Sequence, residues 1–269
     1  MNKFLLSAMV VFPIFFLAHC TPIDTDNSTP ATVLACTDTT FPLANIGITA
    51  PAGQNGYPAG MTKISASSSV CIDKYEAFLV EVTGSGDKPW SPYKNPGATA
   101  VKAISAPGAV PQGYISQTQA AAACANAGKR LCTDTEWLLA CKGSGGNKYP
   151  YGNTFVAGNC NTTRATHPAV EYFGTSAAWI YNSNNLNNPC LDQLTNSLAK
   201  TGAYSNCVTA NGLFDMSGNL HEWTADPTGT FRGGYYVDAV LNGDGCNYAT
   251  TAHDVSYSDF GTGFRCCAD

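Results

Sequence analysis

Twelve cysteines stand in a chain whose first residues, MNKFLLSAMVVFPIFFLAHC, form an apolar N-terminal run. That pairing constrains the fold more than any other feature. The run from Phe4 to Ala18, preceded by the single basic residue Lys3, is too short and wrongly flanked for a membrane span; it has the pattern of a secretory signal. In an exported chain so many cysteines are expected to form a disulfide framework and not a reduced thiol set. The expected organisation is a signal peptide at 1–19, a tether at 20–60 and one folded domain at 61–269, which has enough mass to bury a real core.

The run ends in Leu17-Ala18-His19-Cys20, which resembles the lipobox of a bacterial lipoprotein, where the cysteine is acylated and becomes the new N-terminus. His19 departs from the small residue usual at that place, and ordinary secretion, with Cys20 lost or spare, is the alternative. Lipidation at Cys20 predicts an exported protein anchored to a membrane of the bacterial cell envelope. Removal of residues 1–19 takes away Lys3 and no acid, so the formal charge moves from −5 to −6. Charged residues make up only 12% of the chain, against about 25% in an average domain. No basic stripe or Lys/Arg cluster is present, which excludes a nucleic-acid footprint. From Thr21 to about Gly56 the sequence is rich in Thr, Pro, Asn, Asp and Gly without apolar periodicity, as a tether would be. A strap held by Cys36 is the alternative.

Two helices can be placed closely. Ser116-Gln117-Thr118-Gln119 is a capping box followed by alanines and closed by Gly128; Thr133-Asp134-Thr135-Glu136 is a second, opening a helix through Trp137 to Cys141 that stops near Gly143. Elsewhere Gly, Pro, Asn and Ser interrupt short runs such as Phe78-Leu79-Val80 and Tyr235-Tyr236-Val237, read as short strands. The segment 182–188, NSNNLNN, carries no helix or strand signal. The class is therefore α+β, with few helices, short strands and long loops.

Six motifs then occur in order: Cys71-Ile72-Asp73-Lys74-Tyr75-Glu76, AGKRLCTDTEWLLACKG (127–143), YPYG (149–152), GLFDMSGNLHEW (212–223), RGG (232–234) and the terminal GFRCC. Together they resemble the formylglycine-generating enzyme, or sulfatase-modifying factor, family, over Thr62 to Asp269. The resemblance implies the C-type lectin-like fold of that family. It also implies a calcium site over GLFDMSGNLHEW, with Asp215, Gly218, Leu220 and Glu222 as ligands, and a second site beginning at Asn161 whose acid would come from near Asp192. Carboxylates and turned-in carbonyls are the donors a hard cation takes. In the alternative, Asp215 caps a turn, Gly218 and Asn219 supply positive φ, and Glu222 pairs with a neighbour such as Arg265.

Active members of the family oxidise a sulfatase cysteine to formylglycine with a cysteine pair that holds copper, a soft ion suited to two thiolates. The positions of that pair fall on about Asp238 and near Gly243, and no cysteine follows RGG until Cys246. Copper is accordingly not expected and no catalytic residue is assigned. An enzyme of the family with an atypical site is the alternative function. The resemblance implies a disulfide between Cys141 and Cys266. Cys71, Cys124, Cys132, Cys160, Cys190, Cys207, Cys246 and Cys267 are expected to form further staples of open connectivity, with adjacent Cys266 and Cys267 taking separate partners.

Other chemistries are missing from the sequence. His221-Glu222 lacks the second histidine of HExxH, no CxxC pair exists, and there is no GxSxG elbow or phosphate-cradling loop, so His167, His221 and His253 are read as polar loop residues. What remains is a surface rich in Tyr, Asn and Asp: Tyr235, Tyr236, Asp238, Asn247, Tyr248 and Tyr257, running on to Phe260. Such side chains make adaptable, amphipathic contacts. The expected function is a non-catalytic surface protein that binds a protein or glycan.

Overall fold

The computed structural model describes Cys36, residues 44–53, residues 57–251 and residues 253–269. The leader, Cys20 and most of the tether lie outside the described residues. The first strands are β1 (Met61–Lys63), β2 (Cys71–Asp73), β3 (Ala77–Thr83), β4 (Gly86–Pro89) and β5 (Val101–Ser105). In β5 burial alternates, putting Val101, Ala103 and Ser105 on the core face as a strand's period of two requires. β5 pairs antiparallel with β3, from Ala77 opposite Ser105 to Glu81 opposite Val101, and the exposed β4 forms the other edge.

Both predicted helices form. α1 (Gln117–Asn126) starts at a complete Ser116–Gln119 capping box, and Gly128 just past its end has φ +70°. After β6 (Arg130–Leu131), α2 (Asp134–Lys142) opens on a complete Thr133–Glu136 box and is closed by Gly143. The backbone then runs largely as loop, through α3 (Pro168–Phe173) and α4 (Ser183–Leu186). The single turn of α4 corrects the featureless reading of 182–188: the Asn182 side chain accepts from Asn185 N and caps it. The last strands are β7 (His221–Trp223), β8 (Phe231–Arg232), β9 (Ala249–Thr250), β10 (Thr262–Phe264) and β11 (Cys266–Ala268). Tyr235-Tyr236-Val237 is not a strand. Gly233 and Gly234 both take positive φ, and Tyr235 and Asp238 exchange backbone hydrogen bonds across a tight turn.

Three small sheets result, ordered β1-β2-β11-β6, β10-β7-β8-β9 and β4-β3-β5. One core joins α1, β3 and β5 to Trp223, Phe231 and Phe264; another packs α2 through Trp137 against Ile72, Leu213 and Met216. Fully burying one such apolar side chain contributes about 1.5–3 kcal/mol.

The disulfides correct one expectation. Cys141 pairs with Cys246, and Cys266 pairs with Cys124, so the bond between Cys141 and Cys266 does not exist. The reason lies in β11. Neighbouring residues of a strand point to opposite faces, so Cys266 enters the core containing α1 while Cys267 enters the one containing α2 and bonds Cys132. Their partners are indeed separate. Cys160–Cys207 and Cys36–Cys190 complete the set, and Cys71, buried in β2, is the free thiol among the described residues. The strap alternative therefore holds at Cys36. Further along the chain Asn45 is buried, its amide exchanging hydrogen bonds of 2.9 and 2.8 Å with the backbone of Val110.

Candidate functional site

The segment GLFDMSGNLHEW forms a buried floor. Asp215, Gly218 and Asn219 have φ of +60°, +79° and +61°, which crumples the chain into successive turns. A Cβ at Gly218 would lie 2.2 Å from the carbonyl oxygen of Asn161, so only glycine permits that approach. Asn161 itself donates to Ser197 O at 2.9 Å and Asn219 Oδ1 at 3.0 Å, while its carbonyl accepts from Asn219 N.

Glu222, fully buried, faces Arg265. The guanidinium reaches both carboxylate oxygens at 2.6 Å, and the indole of Trp137 donates to Oε2 at 2.7 Å. Arg265 also donates to the carbonyls of Asp73 and Phe214, so the pair is satisfied on every side. Asp215 accepts from Gly202 N at 2.7 Å, and Glu76 accepts from Asn219 Nδ2 and Leu220 N. Burial pushes the Asp215 carboxyl up to about 7, against the Gly202 hydrogen bond and Arg265. Burial, then the charges of Asp215 and Glu222, push Glu76 well above the usual carboxylate range.

The structure thus brings Asp215, Gly218, Leu220, Glu222 and Asn161 into one neighbourhood, but a guanidinium stands where calcium would need the Glu222 oxygens. These residues as arranged do not fit a hard cation. The positive φ values and the Glu222–Arg265 pair are those of the alternative reading. One oxygen of Asp192 accepts from the Tyr236 hydroxyl at 3.0 Å, and the other is buried with no partner in the protein. Among the described residues no group of three or more His, Cys, Asp or Glu is placed to hold a metal ion.

A cavity of about 400 Å³ opens on the other side of β7. His221 sits in its wall, with ring centroids 4.6 Å from Phe231, 4.7 Å from Tyr235 and 5.4 Å from Tyr248. His253 stacks on Tyr257 at 3.9 Å and on Phe231 at 5.5 Å; His167 meets Phe260 edge-on at 5.4 Å. Two acids join these rings. Asp238 Oδ1 accepts from the amides of Val240 and Leu241, and Asp259 accepts from Tyr257 Oη at 2.5 Å and Gly261 N at 2.9 Å. Burial holds His221 down at about 3, with His253 adding to it, and holds His167 at about 4, with Arg164 adding to it. Asp259 is pushed up to about 6 by burial. Nδ1 of His221 is buried with no partner in the protein.

Of the surface expected from the sequence, Tyr235, Asp238, Tyr248 and Tyr257 line this cavity. Tyr236 does not: it is wholly buried, its hydroxyl turned inward to Asp192. Asn247 is exposed and lies off the cavity. His167, His221 and His253 also line it, although their spacing gives no zinc-ligand signal; what marks them is their company with aromatic residues, which the fold supplies. Asp238, where the resemblance puts the first catalytic cysteine, is in the wall; Cys246 is locked to Cys141.

The family profile described as "Sulfatase-modifying factor enzyme 1-like domain" matches residues 59–269. The chain belongs to this family. Its architecture is the α+β, C-type lectin-like fold of formylglycine-generating enzymes, with few helices, short sheets and several disulfides. It is 26% identical over 175 residues to the mouse "Inactive C-alpha-formylglycine-generating enzyme 2", covering 59% of this chain and 49% of that one. To the "Formylglycine-generating enzyme" of Thermomonospora curvata it is 27% identical over 190 residues, 58% of this chain and 54% of that one. The chain thus spans about half the length of the curated relatives it matches. Among solved structures, PvdO from Pseudomonas aeruginosa is similar with a TM-score of 0.40, 12% identity and coverage of 74% of this chain and 79% of that one. The Major Tropism Determinant U1 variant is similar with a TM-score of 0.40, 17% identity and coverage of 83% and 55%.

Proposed function

We propose that this family member is a non-catalytic binding protein, exported and lipid-anchored through Cys20, that presents the cavity beside β7 to a ligand at the cell envelope. One observation carries the reading: the family's cysteine pair, which the resemblance puts on about Asp238 and near Gly243, has no cysteine there, since none follows RGG until Cys246, and Cys246 is bonded to Cys141. Without two thiolates facing each other there is no soft, near-linear seat for copper and no thiol to engage a substrate cysteine. Cys71 does not replace them, since it is buried in β2, and burial raises its pKa above that of an ordinary thiol. The relative named as an inactive enzyme is in keeping with such a loss. What is left at that place is a walled cavity of ligand size with aromatic sides and a few polar groups, the usual make-up of a binding site.

The test is mass spectrometry of a cysteine-bearing sulfatase-motif peptide incubated with the full chain, copper, oxygen and reductant, beside an active family enzyme. The peptide is expected to stay unconverted; appearance of the aldehyde would overturn the reading. Anchorage is tested separately by membrane fractionation of the parent chain and of Cys20→Ala, whose protein is expected in the soluble fraction.

A further inference from the structure

The chemistry of the same cavity narrows what it can take, and this inference rests on the binding role just proposed. The rings of His221, Phe231, Tyr235 and Tyr248 are inclined to one another, His221 by 42°, 35° and 32° to the other three, so they form a curved wall and not a flat stack. Tyr257, His253 and Phe260 continue it, and Leu241, 81% exposed, contributes an apolar edge at the mouth. Among the described residues lining the cavity there is no Lys or Arg, and two are acids, Asp238 and Asp259.

Both acids already have hydrogen-bond donors. Asp238 Oδ1 is held by two backbone amides, and each oxygen of Asp259 has its own donor, Gly261 N or Tyr257 Oη. The cavity therefore offers negative charge and the ring surface of its half-buried members, His221, Tyr235, His253 and Tyr257, while its carboxylates are partly engaged within the protein. A primary ammonium or a guanidinium brings three to five N–H donors, more than the acceptor sites these partly engaged carboxylates have left, so part of its hydration would go unreplaced. A quaternary ammonium has no N–H, carries its charge on methyl groups that pack against rings, and is attracted by ring quadrupoles. We propose that the cavity binds a quaternary ammonium group. Its about 400 Å³ lies within the range of small-molecule sites and holds such a head with a short stem.

The test is calorimetric titration of the full chain with choline and with its carbon isostere, in which a quaternary carbon replaces the nitrogen. Choline is expected to bind saturably, and the neutral isostere at least about tenfold more weakly. Tyr235→Leu, which removes a ring at a half-buried position, is expected to weaken choline about tenfold, while Tyr235→Phe, which keeps the ring, leaves it unchanged. Equal binding of isostere and choline, no saturation by choline at millimolar concentration, or an unaffected Leu variant would each overturn the proposal. The choline and isostere comparison needs no variant, so it stands even where a substitution harms folding. Vesicles identify the source: retention on phosphatidylcholine but not phosphatidylglycerol, reversed by choline, assigns a lipid headgroup. Choline binding without retention assigns the free form. A chain that ignores choline and leaves the sulfatase peptide unconverted fails only here; conversion of the peptide removes the binding role itself.

Discussion

His221 and Glu222 are neighbours in β7, yet their side chains enter opposite kinds of surroundings. Glu222 points into the floor, where Arg265, Trp137 and two carbonyls leave no atom unmatched. His221 points into the cavity wall, among rings, with a buried nitrogen that nothing in the protein answers. The difference separates scaffold from site. Buried charge is tolerable only when every group is paired, and a fold that satisfies such a pair completely has used it for structure. The His221 ring keeps an unmatched buried nitrogen that the floor's arrangement does not allow, and its ring face, not that nitrogen, is what the cavity wall presents.

The comparison can be broken most severely from the floor. Arg265→Met leaves Glu222 buried without a counter-charge and is expected to cost about 3–5 kcal/mol in denaturant unfolding; a loss below about 1 kcal/mol would mean that the floor is wet. Removing the crosslink with Cys141→Ala and Cys246→Ala together is expected to cost about 2–4 kcal/mol. The cut opens a loop of 105 residues between floor and wall, so peptide conversion should stay absent while any choline binding weakens.

The titrating groups of the two sides have opposite signs. Asp215, raised to about 7, keeps its proton in the folded chain where the unfolded chain has lost it, so its contribution falls as pH rises from about 4 to 7. Asp215→Asn is expected to flatten that slope and stabilise on the order of 1 kcal/mol above pH ~7, with no gain near pH ~4. His221, lowered to about 3, contributes stability present above about pH 6.5 and lost as pH falls toward 3. His221→Phe should remove that acid-side loss and, by deleting an unmatched nitrogen, change neutral-pH stability by less than about 1 kcal/mol. The smallest effect is expected from calcium. Millimolar calcium should leave the unfolding midpoint where it is; a midpoint that climbs with calcium concentration would restore Asp215, Gly218, Leu220 and Glu222 as a ligand set.

Local signals were legible because their physics is local. Ser116 with Gln119 and Thr133 with Glu136 satisfy helix-end groups within four residues, and both helices begin where those boxes say. The partners of Cys141 and Cys266 were not legible. They depend on which face of β11 meets α1 or α2, a register set by strands far apart in the chain. Tyr236 misled for a related reason: between two glycines of positive φ and a tight turn, adjacent tyrosines part, one to the cavity and one to Asp192. The three histidines of the wall lie at positions 167, 221 and 253, a spacing that only the folded chain closes.

The bond between Cys36 and Cys190 settles how force would pass through the molecule. Pull on the N-terminal segment enters the domain covalently at Cys190, after the one-turn α4. It bypasses the edge strand β1, which would otherwise take the load and could be peeled from β2 one hydrogen bond at a time. A domain held this way would take a pull from its N-terminal side without being unzipped at β1 first.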